Sequence, residues 1–124
     1  MEAKTKDLWV FIETNEDGTA KNVGQELLTP GRDLATKQGG KLVAVVIGCN
    51  VDPAIETVGA LGADQVIVVD GEEYKRFPTD AYTTALCTLV EKYGPTRMLI
   101  GATPNGRDFG PRVSSRLGTG LTAD

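Results

Sequence analysis

Histidine is absent from this 124-residue sequence. That absence removes every Ser–His or Cys–His nucleophile pair and every His-containing metal site. Cysteine is scarce: Cys49 and Cys87 make no disulfide framework, and free thiols fit a reducing cytoplasm. Long apolar runs are missing too. The longest covers residues 42–47, far too short to span a bilayer, and Met1 to Lys6 lack the apolar core of a secretory signal. Thirteen basic and seventeen acidic side chains leave a net charge of −4 with no basic stripe, so charge gives no support for nucleic-acid binding. Carboxylate, Lys or Tyr catalysis is left open, yet no such groups form a recognisable constellation. The expectation is one soluble cytoplasmic domain, with no membrane insertion, no catalytic residues and no metal.

What is present is an alternation. Residues 8–13 form a near-continuous apolar run, the pattern of a strand buried on both faces. Glu16-Asp17-Gly18 follows as a turn, and a helical stretch spans 22–38 with Leu27, Leu28, Leu34 and Ala35 on one side. Pro30 lies inside it, so either the helix starts there with Thr29 as N-cap, or it starts earlier and kinks. Residues 41–47 read as a second buried strand, and Asp52 and Pro53 open a helix that ends near Gly62. Residues 65–69 form a third strand. Thr79 caps a helix reaching Tyr93, whose buried face is Tyr82, Leu86, Leu89 and Tyr93. Gly94-Pro95 stops it, and 96–100 is the fourth strand. Four strand–helix alternations predict an α/β fold: an open, mainly parallel sheet with helices on both faces.

The segment after the fourth strand carries the richest chemistry. It reads as a glycine-rich turn, a short helix, then a small-residue loop on which the chain stops at Asp124, and this predicts a piece of something longer. A loop at the carboxyl end of a strand, followed by a helix N-terminus, is where anions sit in open α/β sheets. Gly101 and Gly106 allow positive φ and close backbone approach, while Thr103, Asn105 and Arg107 supply donors. The plain alternative is that Asp108 caps a helix beginning near Phe109, with Pro111 in its first turn, and that Arg107 pairs with Asp108 or another chain. Thr119 and Thr122 belong to the outgoing loop. Neither a Walker loop nor a G-x-G-x-x-G fingerprint follows any strand. Gly118-Thr119-Gly120 is similar to the second glycine element of universal-stress-type nucleotide binders, but the spacing from Gly106 departs from their pattern. Cys49, at a strand end, has no His or nearby Lys to activate it, so a buried inert thiol is the simpler reading. The Glu72-Glu73-Tyr74-Lys75-Arg76 cluster reads as a solvated loop.

In order along the chain, LWVFIE, ELLTPGRDLATKQGG, KLVAVVIG, LGADQVIVVD, DAYTTALCTLVEKYGPTRMLIGAT and GRDFGPRVSSRLGTGLTAD resemble the N-terminal domain of the electron transfer flavoprotein alpha subunit. The resemblance covers essentially the whole chain and departs at Pro30, where the family keeps an uninterrupted helix. It implies an adenine-nucleotide-hydrolase-like (Rossmann-like) domain over residues 1–124. The C-terminal FAD domain, and with it the main FAD site, is expected beyond Asp124. The resemblance also implies a heterodimer with a beta subunit, FAD as the carrier's cofactor outside this domain, and an acyl-CoA-type or other flavin dehydrogenase as partner. Some relatives split NADH electrons between two acceptors. Under that reading the 101–108 turn and the 119–124 loop face the beta subunit or the flavin domain, with Arg107 as the charged contact. Two rivals are an autonomous universal-stress-type adenine nucleotide module and a hydrolase using Asp108 or Glu13.

Overall fold

Strand β1 (Leu8–Ile12) and strand β2 (Leu42–Gly48) are buried at every position. An unbroken apolar run requires this, because helices cover both faces of the sheet. The two strands pair in parallel from Leu8↔Leu42 to Ile12↔Val46. Strand β3 (Gln65–Asp70) lies beside β2, and β4 (Arg97–Ile100) lies on the other side of β1, both parallel. The computed structural model describes residues 3–76 and 78–117, together with the backbone of 122–123. That last pair forms β5 (Thr122–Ala123), which runs parallel to β4 through Leu99↔Thr122 and Ile100↔Ala123. The sheet order is therefore β3-β2-β1-β4-β5. This corrects the expected terminal loop, which was to run outward to Asp124 with no further strand. The open edge of β4 offers unpaired backbone groups, and an extended segment just before Asp124 takes them up.

The alternation of side chains along each strand sorts the core into two layers. Leu8, Val10, Ile12, Leu42, Ala44 and Val46 pack against helices α1 (Asn22–Gln38) and α2 (Asp52–Ala60). Trp9, Phe11, Val43, Val45 and Ile47 face α3 (Thr79–Tyr93) and α4 (Pro104–Leu117). The expected doubly covered parallel sheet is the observed one.

Several local expectations resolve. Helix α1 is continuous from Asn22, with Pro30 on its exposed side, so the start at Thr29-Pro30 is not adopted. Next to it, Gly31 faces the sheet, and a Cβ there would meet Leu42 and Val10 methyls at 3.0 Å; its lack of a side chain lets α1 lie close. Asp52 and Thr79 are first helical residues rather than caps, because Val51 and Pro78 hold the cap positions without a side-chain bond. Tyr93 is not on the buried face. It is 39% exposed, near the ring of Trp9 at 6.2 Å between centroids. Tyr74, placed in a solvated loop, instead packs edge-on against Tyr82 within a turn of 3₁₀ helix at Glu72–Tyr74.

Candidate functional site at the carboxyl ends of β1 and β4

The chain leaves β1 on one side of the sheet toward α1 and β2, and leaves β4 on the other toward α4. The crevice between these two strand ends is the topological switch point, the usual ligand position in an open α/β sheet. After Ile12 the backbone folds into a tight loop, with Thr14 bridging Ala20 and Gly18 at φ 87°. The loop's own polar groups stitch it. Asn15 Nδ2 donates to Thr19 Oγ1 at 2.9 Å, and the Thr19 hydroxyl donates to Asp17 at 2.6 Å, which holds the Asp17 carboxyl below its usual range. The Lys21 N–H then donates to the Glu13 carbonyl at 2.8 Å, bringing the lysine back beside the strand end.

Glu13 is the centre of what this geometry builds. It is 3% exposed and the only buried charged side chain among the described residues. Thr103 Oγ1 donates to its Oε1 at 2.6 Å. Asn105 Nδ2 donates to its Oε2 at 3.0 Å, and Lys21 Nζ pairs with the same oxygen at 2.7 Å. Such charge-assisted bonds are what make burial of a carboxylate tolerable. Thr103 also works on its own helix. Its Oγ1 accepts the Gly106 N–H at 2.9 Å, while its carbonyl accepts the Arg107 N–H at 2.8 Å. Thr103 therefore caps α4.

The remaining expected residues separate. Helix α4 begins at Pro104, four positions before Asp108, so Asp108 is not its cap and Pro111 lies in its interior. Asp108 instead accepts from the Thr79 hydroxyl at 3.0 Å and pairs with Arg112 at 3.4 Å, on the α3 side. Arg107 is exposed, and among the described residues it makes no ion pair. Gly101 and Gly106 do not adopt positive φ, which corrects that part of the expectation. Close approach is what they supply: a Cβ on Gly106 would run into the Gly101 carbonyl oxygen, and one on Gly101 would lie 2.6 Å from Val23. Of the expected 119–124 contact loop, Thr119 and Asp124 lie outside the described residues, and for Thr122 only the backbone is described. Reading from sequence placed Thr103 and Asn105 in the site but missed Lys21 and gave Glu13 only a hydrolytic role. The signal was available: a charged residue ending a run buried on both faces.

A cavity of about 390 Å³ opens beside this network, with Thr14, Asn15, Lys21, Lys75, Arg76 and Asn105 on its walls. Behind it the Tyr82 hydroxyl lies 3.0 Å from both the Ile47 and Tyr74 carbonyl oxygens, with one proton to share. Burial pushes the Tyr82 phenol up to about 12; the Thr14 hydrogen bond opposes the rise, and the nearby Glu13 charge adds to it. Cys49 and Cys87 are both buried, and burial raises the Cys87 thiol above its ordinary range. No group of three or more His, Cys, Asp or Glu is placed to hold a metal among the described residues. None of the helices described is long and apolar enough to cross a membrane.

A profile of the electron transfer flavoprotein domain matches residues 8–124. The chain belongs to the electron transfer flavoprotein family. Among its curated relatives, the acryloyl-CoA reductase electron transfer subunit beta of Anaerotignum propionicum is 48% identical over 96% of the chain and 32% of that relative. The electron transfer flavoprotein subunit alpha of Clostridium acetobutylicum is 43% identical over 98% of the chain and 36% of its own length. The Acetobacterium woodii subunit LctC, named as part of a lactate dehydrogenase (NAD(+),ferredoxin), is 37% identical over 96% and 28%. The chain spans about a third of the length of these relatives. The first two names denote electron-transfer subunits, and the third a subunit of a dehydrogenase.

A flavin dinucleotide at this switch point would need uncommitted donors for its pyrophosphate and a glycine-rich approach free of negative charge. Here Thr103, Asn105 and Lys21 are all bonded to Glu13, whose carboxylate puts a negative charge between the strand ends. The described residues of this electron transfer flavoprotein domain do not fit a dinucleotide at the strand ends.

Proposed function

We propose that this chain is the N-terminal platform domain of an electron transfer flavoprotein alpha subunit, and that the flavin is held by a domain outside these 124 residues. The single observation that carries the reading is the Glu13 network. A member of a flavin-carrying family has its switch point filled by its own carboxylate and three donors. Such a domain serves as a rigid support, with the redox chemistry lodged elsewhere. The same network disfavours an autonomous adenine-nucleotide module, as do the names of the relatives.

On this reading the domain pairs with a beta subunit of similar α/β build, and the assembled carrier takes electrons from an acyl-CoA-type or other flavin dehydrogenase in the cytoplasm. Exposed Arg107, beside the capped start of α4, is the charged contact toward the beta subunit or the flavin domain. The name of the Acetobacterium woodii relative, which pairs NAD(+) with ferredoxin, supports a second reading in which electrons divide between two acceptors. The test is reduction of the assembled protein's flavin by a dehydrogenase and its substrate, with Arg107→Ala compared to wild type. Loss of an exposed charged contact is expected to slow assembly or transfer about tenfold. An Arg107→Ala protein that assembles and transfers electrons normally removes the role given to Arg107.

A further inference from the structure

Three segments far apart in sequence converge on the Glu13 carboxylate. Thr103 comes from the turn after β4, Asn105 from the first turn of α4, and Lys21 from the residue before α1. A hydroxyl, an amide and an ammonium at a helix N-terminus make the donor set that an external oxyanion recruits. Their aim does not depend on Glu13 alone. The Thr103 hydroxyl is fixed by accepting the Gly106 N–H, and the Lys21 backbone is anchored beside the strand end by its N–H to the Glu13 carbonyl. The adjoining cavity of about 390 Å³ gives a route from solvent, with Lys75 and Arg76 on its walls opposite a single acid, Glu16.

We infer that Glu13 is a built-in surrogate for an anionic ligand: its carboxylate occupies an oxyanion seat at the switch point and closes that seat to phosphate-bearing molecules. An incoming phosphate meets a negative charge and finds the Thr103 hydroxyl, the Asn105 amide and the Lys21 ammonium already turned to Glu13. Deleting the Glu13 side chain beyond Cβ leaves Lys21 without its counter-ion and the Thr103 hydroxyl and Asn105 amide without their acceptor. The vacated seat then takes a phosphate-class oxyanion from solvent. Glu13 is thus a specificity-determining residue, and the inference stands whether or not the chain pairs with a beta subunit.

The test is thermal unfolding of the intact protein as wild type, Glu13→Ala and Glu13→Gln, each in inorganic phosphate and in chloride at equal ionic strength. Glu13→Ala is expected to gain about 4 °C or more in phosphate over its own value in chloride. Wild type and Glu13→Gln are expected to differ between the two salts by no more than about 1 °C, the sensitivity that weak nonspecific anion effects set. The glutamine variant separates occupancy from charge, because it fills the seat without the carboxylate. An alanine variant that responds to phosphate no more than wild type overturns the inference, and so does an equal gain in the glutamine variant. An alanine variant unfolded in chloride but folded in phosphate supports it; one unfolded in both salts contradicts it, since a competent seat would be rescued by its anion.

Discussion

The two ends of the sheet use the same device in opposite surroundings. At the amino ends, Asp7 accepts the Lys41 N–H and Asp64 accepts the Leu42 N–H, both at 2.9 Å, while Arg32 grips Asp64 through two contacts of 3.0 Å. These carboxylates register β2 beside its neighbours, and they stand in water: the Arg32 and Asp64 side chains are 42% and 40% exposed. At the carboxyl ends, Asp70 likewise accepts the Asn50 and Val51 N–H groups at 2.8 and 3.2 Å ahead of α2. Asp70 is exposed, whereas Glu13, two strands away at the switch point, is buried and takes only side-chain donors. Exposed carboxylates trim strand ends and can be lost at small cost. A buried one with three partners commits the region around it to a single arrangement.

The contrast is sharpest at Glu13. Glu13→Ala is expected to destabilise the domain by about 3 kcal/mol, since removal of one partner leaves the others unpaired in a largely buried site. Urea unfolding measures this, and a loss below about 1 kcal/mol would put Glu13 in the same class as the amino-end acids. Next in size is Tyr82→Phe, expected to cost about 1 kcal/mol at neutral pH through the lost hydroxyl bond. Its pH signature is more telling. The folded-state value of about 12 lies above the ordinary phenol value near 10. The Tyr82 hydroxyl therefore costs wild type nothing through ionisation below pH 10, and stability falls as pH rises from 10 toward 12, because the unfolded chain releases the phenol proton first. Wild type is expected to lose stability there and Tyr82→Phe to lack that limb; parallel profiles would mean the phenol is not held neutral by burial.

The smallest effect belongs to the amino end. Arg32 beside it, followed by the Leu42 N–H bond, holds the Asp64 carboxyl below its usual range. Its stabilising share is present above the ordinary carboxylate value and is lost as pH falls through the folded one. Because the pair is exposed, Arg32→Ala is expected to cost about 0.5 kcal/mol at low salt and less at high salt. A cost matching that of Glu13→Ala would erase the distinction between the two ends.

Much of the fold was legible because burial on both faces leaves a plain mark. Residues 8–12 and 42–47 carry no polar position to mislead, and the breaks at Gly39 and Gly94 coincide with left-handed residues that end α1 and α3. Local boundaries were less legible where two residues compete for one role. Asp108 has the chemistry of a cap, but Thr103 is better placed, with Pro104 pre-set for the first helical position. Pro30 reads as a helix start, yet on the solvent side of α1 a missing N–H is tolerated. The site was half legible for a different reason. Thr103 and Asn105 sit in a suggestive local stretch, whereas their acceptor lies about 90 positions earlier and only the β1–β4 pairing brings it there. Lys21 is set by a loop bridge, Thr14 to Ala20, that no periodicity announces.

A support within a flavin carrier, holding no nucleotide at its own strand ends, has a mass signature that a self-sufficient nucleotide module lacks. Native mass spectrometry of the intact protein, followed by denaturation in the same run, reads it. The expected result is a complex with a second polypeptide that releases FAD, in which the subunit bearing this sequence is heavier than 13.2 kDa. A lone or self-associated species of 13.2 kDa that carries a nucleotide and no second polypeptide would contradict the platform role.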